Sequence, residues 1–191
     1  MIKTALCSKL PALRWAELLV VIATVLVCAW ATYQRNFVWK DDFNLWSDVV
    51  KKSPEKVRPY NNIGIAYKEA GHIDVAILHF EKAVVLNPIT IEPYINLGLA
   101  YKEKGLIDKA IVQYRKVLSL QPDHADTHNS LGICYFEKGW VDKTILEFEH
   151  AIRINPDHPD AHYNLGIAYS SKGWYDIAYI EMKKGIELRN R

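Results

Sequence analysis

Residues 91–124 read IEPYINLGLAYKEKGLIDKAIVQYRKVLSLQPDH. Tyr94, Leu97, Gly98 and Tyr101 recur at i, i+3, i+4 and i+7, the spacing of one helix face. Gly105 follows, and glycine accepts the left-handed backbone that a helix stop requires. Asp108 then falls in the first turn of a second helix, where negative charge complements the macrodipole. Ala110, Tyr114, Val117 and Leu118 mark the buried face of that helix. Pro122 closes the unit, since proline cannot continue a helix interior. Gly98 has a second use: without a side chain there, the two helices can approach closely, with a large aromatic from the second helix filling the gap.

The same stretch returns along the chain with a period of 34. Gly64, Gly98, Gly132 and Gly166 form one column; Tyr67, Tyr101, Tyr135 and Tyr169 form another. Gly71, Gly105, Gly139 and Gly173 share the register, as do Asp74, Asp108, Asp142 and Asp176, and Pro54, Pro88, Pro122 and Pro156. Several columns in one register define units at 57–90, 91–124, 125–158 and 159–191. The first is carried by Tyr60-x-x-Ile63-Gly64-x-x-Tyr67, then Ala76, Phe80, Ala83 and Pro88, and this pattern resembles the tetratricopeptide repeat (TPR) family. The resemblance implies an all-α solenoid, a right-handed superhelix of helix pairs whose first helices line a concave groove that binds peptides or proteins. His128 and His162 depart from the usual aromatic, Thr144 from alanine, and the last unit carries Met182 and Gly185.

Ahead of the repeats, Trp15 to Tyr33 reads WAELLVVIATVLVCAWATY, with Glu17 its only charge. Nineteen helical residues span about 28 Å, close to the roughly 30 Å of a bilayer's hydrocarbon core. Trp15, Trp30 and Tyr33 near its ends suit membrane interfaces. Residues 15–34 are therefore expected to form one transmembrane helix behind a cytoplasmic tail, residues 1–14. Lys3, Lys9 and Arg14 precede the span, whereas Arg35 and Lys40 are followed at once by Asp41 and Asp42. This bias places the N-terminus in the cytoplasm and the repeats on the other side, the periplasm in a bacterium. A cleaved signal peptide ending near Ala29-Trp30-Ala31 would put the repeats on that same side; a lipoprotein signal at Cys28 is disfavoured by Val27.

Residues 35–56 read as a junction and half-unit, since Trp46, Val49 and Pro54 stand one period before Phe80, Ala83 and Pro88. Asp41 to Lys52 is expected to be a capping helix with Phe43, Trp46 and Val50 toward the first repeat, because an array end otherwise shows a bare core. At the other end no such cap is read: Glu181, Lys183 and Lys184 solvate the last helix, or something else covers it. The stretch Arg35-Asn36-x-x-Trp39 with Leu45-Trp46 also resembles the junction in polytopic, glycosyltransferase-like membrane proteins with C-terminal TPR arrays.

The chain has 191 residues and a net charge of +2. Residues 1–40 hold five basic residues against Glu17, so the remainder is slightly acidic, without the basic stripe of a nucleic-acid-binding surface. Cys7, Cys28 and Cys134 are widely separated, which disfavours a disulfide framework or zinc site; Cys28 and Cys134 are expected to be buried thiols acting as small hydrophobes. His124/His128 and His158/His162 are i, i+4 pairs, but they occupy identical repeat positions and no third ligand is fixed by spacing, so no metal is expected. No phosphate loop, dinucleotide fingerprint, nucleophile elbow or HExxH motif occurs. The expectation is a chain that is not an enzyme, with no cofactor, no nucleic-acid partner and no small-molecule substrate.

One column carries a functional signal. Asn62, Asn96, Ser130 and Asn164 precede the aliphatics Ile63, Leu97, Leu131 and Leu165 in each repeat, and asparagine offers both donor and acceptor. Through the family resemblance this column faces the groove and is similar to the asparagine ladder by which some TPR arrays, such as protein O-linked glycosyltransferases, hold a peptide backbone. Asparagine here is equally an ordinary choice that satisfies local helix ends. Neighbouring groove positions are Ile65, Leu99, Ile133 and Ile167, then Lys68 and Lys102; the lysines make the N-terminal half basic, or are plain exposed helix lysines. The reading is a membrane-anchored scaffold that binds a protein or extended peptide through its groove, with the non-catalytic TPR portion of a membrane protein-glycosylation system as the alternative.

Overall fold

The computed structural model describes residues 20–30 and 42–191, every element of which is helical. Two compact units are resolved by contact, Met1–Asp48 and Val49–Arg191, and each is described by itself.

In the first unit, residues 20–30 form α1, an apolar helix with every residue exposed. The Thr24 hydroxyl lies 2.8 Å from the Val21 carbonyl, so its one polar side chain is satisfied within the helix. Among the described residues no helix is long and apolar enough to cross a membrane. The remainder of the expected span, 15–19 and 31–34, and the tail 1–14 lie outside the described residues. Cys28 is exposed, which corrects its expected burial. Helix α2, Asp42–Lys52, forms where the capping helix was expected and crosses the boundary between the units. Leu45 to Val50 are half-buried.

The second unit is a run of four helix pairs. They are α3 (Val57–Glu69) with α4 (Ile73–Leu86), α5 (Ile91–Glu103) with α6 (Ile107–Leu120), α7 (Ala125–Glu137) with α8 (Val141–Ile154), and α9 (Pro159–Ser171) with α10 (Tyr175–Arg189). Helix starts recur every 34 residues because the stop signals do. Gly105 has φ +72° at the end of α5. The Gly105 N–H donates to the Lys102 carbonyl and the Leu106 N–H to the Tyr101 carbonyl, at 2.8 Å each, closing the last turn as a Schellman motif. The equivalent bonds form in the other three pairs. That motif favours an apolar contact across the cap, which explains the half-exposed Trp140 and Trp174: each ring lies on Tyr135 or Tyr169, with centroids 5.7 and 5.6 Å apart.

Within a pair, the first helix's glycine receives the second helix's aromatic. A Cβ built on Gly98 would lie 2.6 Å from the Tyr114 ring, and Phe80 and Phe148 stand likewise against Gly64 and Gly132. Tyr114, Phe80 and Phe148 are fully buried. In the last pair Met182 takes the aromatic's place. Gly185 brings α10 onto the backbone of α9, where an added Cβ would meet the Pro159 carbonyl at 2.7 Å. The Met182 and Gly185 departures are thus one compensated change: a slimmer side chain and a closer helix approach. The core falls into two clusters, one from α4 to α7 and one around Phe148, Leu165 and Ala168, and in the first Ala110, Tyr114 and Cys134 are sealed from solvent.

Two glycine substitutions separate the forces at work. Gly98→Ala drives a methyl into the Tyr114 ring, and overpacking of this kind costs about 1–3 kcal/mol, against the ~1 kcal/mol alanine gains as a helix former. Gly105→Ala meets no atom within 4 Å, and its cost, about 1–2 kcal/mol, comes from the left-handed backbone alone. Denaturant unfolding should show both variants with lowered midpoints, and only Gly98→Ala should recover when Tyr114 is shortened to leucine.

Candidate functional site

The repeats stack because the first helix of each packs on the second helix of the one before. Each such contact carries two polar ties. Tyr101 donates to Glu81 at 2.7 Å and Tyr169 to Glu149 at 3.0 Å, while Arg115 donates to the Tyr135 hydroxyl at 3.1 Å. Lys104 pairs with Asp74, Lys138 with Asp108 at 2.9 Å, and Lys172 with Asp142 at 2.5 Å. Asp74, Asp108 and Asp142, expected to serve the helix dipole, therefore each also receive a lysine from the following repeat.

First helices also touch directly, α3 with α5 and α7 with α9, whereas no comparable contact joins α4 to α6 or α6 to α8. The first helices are the more closely spaced set and form the inner surface of the array. Asn62, Asn96, Ser130 and Asn164 lie on them, all half-buried. Asn96 Nδ2 donates to Asn61 Oδ1 at 2.8 Å, and Asn164 Nδ2 donates to Asn129 Oδ1 at 3.0 Å. Ser130 instead donates back to the Asp126 carbonyl at 2.8 Å. The column is thus two cross-repeat amide pairs with a break between them, where Ile95 offers no amide and Ser130 is turned inward.

Asn61 and Asn129 were not among the expected site residues. Their signal was present as a column reading Asn61, Ile95, Asn129 and Tyr163, a period of two repeats that a single-repeat comparison averages away. The amides of Asn96 and Asn164 are occupied, and their oxygens remain as acceptors. Val57, Arg58, Asn61, Asn62, Thr90 and Glu92 line a cleft of about 360 Å³ at the N-terminal ends of α3 and α5. Ile65, Leu99, Ile133 and Ile167 are half-buried; Ile65 and Ile133 also pack on the core, so this column is part floor and part surface. Lys68 and Lys102 are half-buried at the inner surface's N-terminal half.

The paired histidines act as caps and core substitutes. His124 and His158 are N-caps whose Nδ1 accepts from the N–H of Thr127 and of Ala161. His158 Nε2 lies 3.1 Å from Asp126 Oδ1, off the line of a hydrogen bond. His128 Nε2 reaches the Pro122 carbonyl at 3.0 Å, the bond that Tyr94 makes to Pro88 one repeat earlier, and His162 reaches Pro156 in the same way. The other nitrogen of each faces a carboxylate: Nδ1 of His128 lies 2.7 Å from Glu147, and that of His162 2.5 Å from Glu181.

Where titration is displaced, the cause is local. The Glu147 hydrogen bond holds the His128 imidazole above its usual range, against the opposing effect of burial. Burial lowers His79, which stacks on Tyr67. Burial, with the Glu81 and Glu149 hydrogen bonds, pushes Tyr101 and Tyr169 up to about 12, and burial pushes the Cys134 thiol up to about 11. The tyrosines and the thiol are held in their protonated, unreactive forms.

Because folding favours the charged form of His128, its contribution to stability is complete below about pH 6.5, the unfolded value. It is lost as pH rises through the raised folded value. A His128→Tyr variant keeps the reach to the Pro122 carbonyl and loses the titration. Unfolding midpoints between about pH 5.5 and about pH 8.5 should show the wild type losing stability relative to this variant as pH rises. A difference that does not change with pH would exclude the charged pair.

Comparison with known proteins agrees with this architecture. Residues 98–139 and 134–173 match a family model described as TPR repeat, and residues 57–90 and 159–191 match one described as tetratricopeptide repeat. Among solved structures, a crystal structure of MamA superposes with a TM-score of 0.71 at 30% identity, covering 78% of this chain and 86% of that one. Cut9 in the APC/C hetero-tetramer Cut9-Hcn1 superposes with a TM-score of 0.72 at 20% identity, covering 76% of this chain and 28% of that one, a likeness of fold alone. The protein O-mannosyl-transferase Tmtc3 of Drosophila melanogaster is 33% identical over 60 residues, 31% of this chain, which spans only 6% of that protein. The matched units, the glycine-to-aromatic packing and the repeated cap geometry together make this chain a member of the tetratricopeptide repeat family.

Proposed function

We propose that the array is a scaffold that binds an extended peptide segment of a protein partner along the surface of α3, α5, α7 and α9. The observation that supports this most directly is the pair of anchored asparagines. Asn61 and Asn129 hold Asn96 and Asn164 by their Nδ2 atoms, so each Oδ1 is an oriented acceptor before any ligand arrives. Ordering done in advance is not charged to binding, which is how a preorganised site gains affinity. An extended backbone presents N–H and C=O groups in regular alternation. Asn62 adds an amide at the cleft, Ile65, Leu99, Ile133 and Ile167 supply apolar contact, and Lys68 and Lys102 favour an acidic flank.

In this reading the apolar N-terminal segment carries the array on a membrane, with the repeats on its non-cytoplasmic side. The binding needs no cofactor and no catalytic step. Replacing Asn62, Asn96 and Asn164 together by alanine should weaken partner capture by the membrane-inserted chain with the helical circular dichroism unchanged. A neutral hydrogen bond is worth about 0.5–1.5 kcal/mol, so the triple variant should lose at least about tenfold in affinity. Asn61→Ala should weaken capture as well, through Asn96. Capture by the triple variant equal to wild type would sink the ladder.

A second reading is favoured by the match to a protein O-mannosyl-transferase and by the Arg35–Trp46 junction: the chain would be the non-catalytic TPR portion of a membrane protein-glycosylation system. Crosslinked purification should then recover a polytopic transferase or its acceptor proteins, and deletion should remove glycans from those acceptors. Unaltered glycan profiles would leave the general scaffold. In either case removal of residues 1–34 should release the array from alkali-washed membranes; its retention there would refute the anchor.

A further inference from the structure

The second helices carry on their outer side an arrangement that neither stacking nor the inner surface uses. Leu78, Val112, Leu146 and Ile180 stand in one register, one per repeat, and are 64%, 62%, 50% and 60% exposed. Leu78, Val112 and Leu146 lie on α4, α6 and α8, each of which already has the next repeat packed on it, so this exposure is not that of an array end. One helical turn further, the same register holds Lys82, Lys116, His150 and Lys184, so every aliphatic has a basic residue beside it on the same face. On α4 the apolar side is broader: Val85 follows Leu78 at i+7 and is exposed, while Ala76, Phe80 and Ala83 are buried on the opposite side. A helix that is apolar all round belongs in apolar surroundings on both sides. The charge left on this face is of one sign. Every carboxylate of α4, α6 and α8 is bonded within the array: Asp74, Asp108 and Asp142 to lysines, Glu81 and Glu149 to tyrosines, and Glu147 to His128. Lys82 and Lys116 enter no ion pair among the described residues.

We infer that the outer face of α4, α6 and α8 rests on a membrane surface that contains anionic phospholipid. Charge complementarity sets the chemistry: unpaired ammonium groups with no competing carboxylate attract phosphate. The spacing of the apolar groups sets the form of the partner. This side lies opposite the inner surface and forms no groove that could enclose a chain, and its aliphatics stand singly between basic residues. Interfacial helices have this layout, with aliphatics dipping into the acyl boundary while lysine stems extend along it and carry their charge to the headgroups. A second copy of this chain is the poorer occupant, because the same face would set lysine against lysine. The inference rests in one respect on the anchor of the preceding reading: a tether holds the array beside lipid at high effective concentration, so contacts that are weak singly suffice. The face is separate from the asparagine surface, which stays open to a peptide.

The test places the photocrosslinker p-benzoylphenylalanine at Val112 or at Leu146 of the full chain, reconstituted in vesicles of phosphatidylcholine and phosphatidylglycerol in equal parts. Illumination should yield lipid adducts at both positions, read by mass spectrometry. Vesicles of phosphatidylcholine alone should cut the yield at least about fivefold, the scale of one basic residue at an anionic surface, and Lys82→Glu with Lys116→Glu should do the same in the mixed vesicles. The crosslinker at Phe136, which stands one period after Lys102 on the inner surface, should give no lipid adducts. The substituted lysines are exposed, so unchanged unfolding midpoints will show that the variants fold. No adducts at Val112 and Leu146, or adducts equally abundant at Phe136, would overturn the inference. Adducts joining two copies in place of lipid would overturn it in favour of self-association. An alkali wash after illumination separates this inference from the anchor. Chain retained by the vesicles without outer-face adducts would remove the inference and leave the anchor; unlinked chain released by alkali, with outer-face adducts formed, would remove the anchor and support the inference.

Discussion

The distance between the two helices of a repeat is the constraint on which the rest depends. At Gly98 it is so short that a methyl group would stand 2.6 Å from the Tyr114 ring, and the same holds at Gly64 and Gly132. A glycine and a buried aromatic set that distance together, since neither fills the gap without the other. Once the helices of each pair sit at one spacing and one stop geometry, every repeat presents the same faces to its neighbours. Packing at native density is sensitive to a single methylene, so the array tolerates change here only when it is compensated. The last pair shows such a compensation, with Met182 for the aromatic and Gly185 closing the helices further.

Stacking then follows from a face that is largely apolar and signed by polar residues. Burial of Ile77, Ile111 and the tyrosines provides the energy. The lysine–aspartate pairs, whose aspartates are largely exposed, add little stability but fix which helix follows which. Along the inner surface one asparagine pair bridges α3 to α5 and another bridges α7 to α9. The proposed peptide-binding surface inherits this division. Its hydrogen-bonding positions are anchored within each pair of repeats and interrupted between them by Ile95 and Ser130.

The histidines show how a side chain can keep a structural role while changing its chemistry. His128 stands where Tyr94 stands one repeat earlier and reaches the same carbonyl. Its second nitrogen adds a contact to Glu147 that tyrosine cannot make. The i, i+4 pairing arises because two successive repeats use histidine both at the N-cap and at this core position.

From the amino-acid order alone, the helix pairs, their boundaries and their buried faces were legible, because each depends on local terms: helical periodicity, a glycine stop and a proline break. The same holds for Gly98 and its aromatic partner, since both belong to one hairpin. The asparagine column could be placed on the inner surface through the family pattern, but the state of its amides could not be read. Whether Asn96 is open or tied depends on Asn61, which lies 35 residues away and becomes a neighbour only when two repeats stack. The lysines that answer Asp74, Asp108 and Asp142 escaped the sequence for the same reason. The exposure of Tyr179 and Ile186, at positions that are buried or half-buried in the other repeats, is likewise a property of what covers a helix and not of the helix itself. Local periodicity determined the elements, and only tertiary stacking decided which of their polar and apolar groups are spent and which remain available.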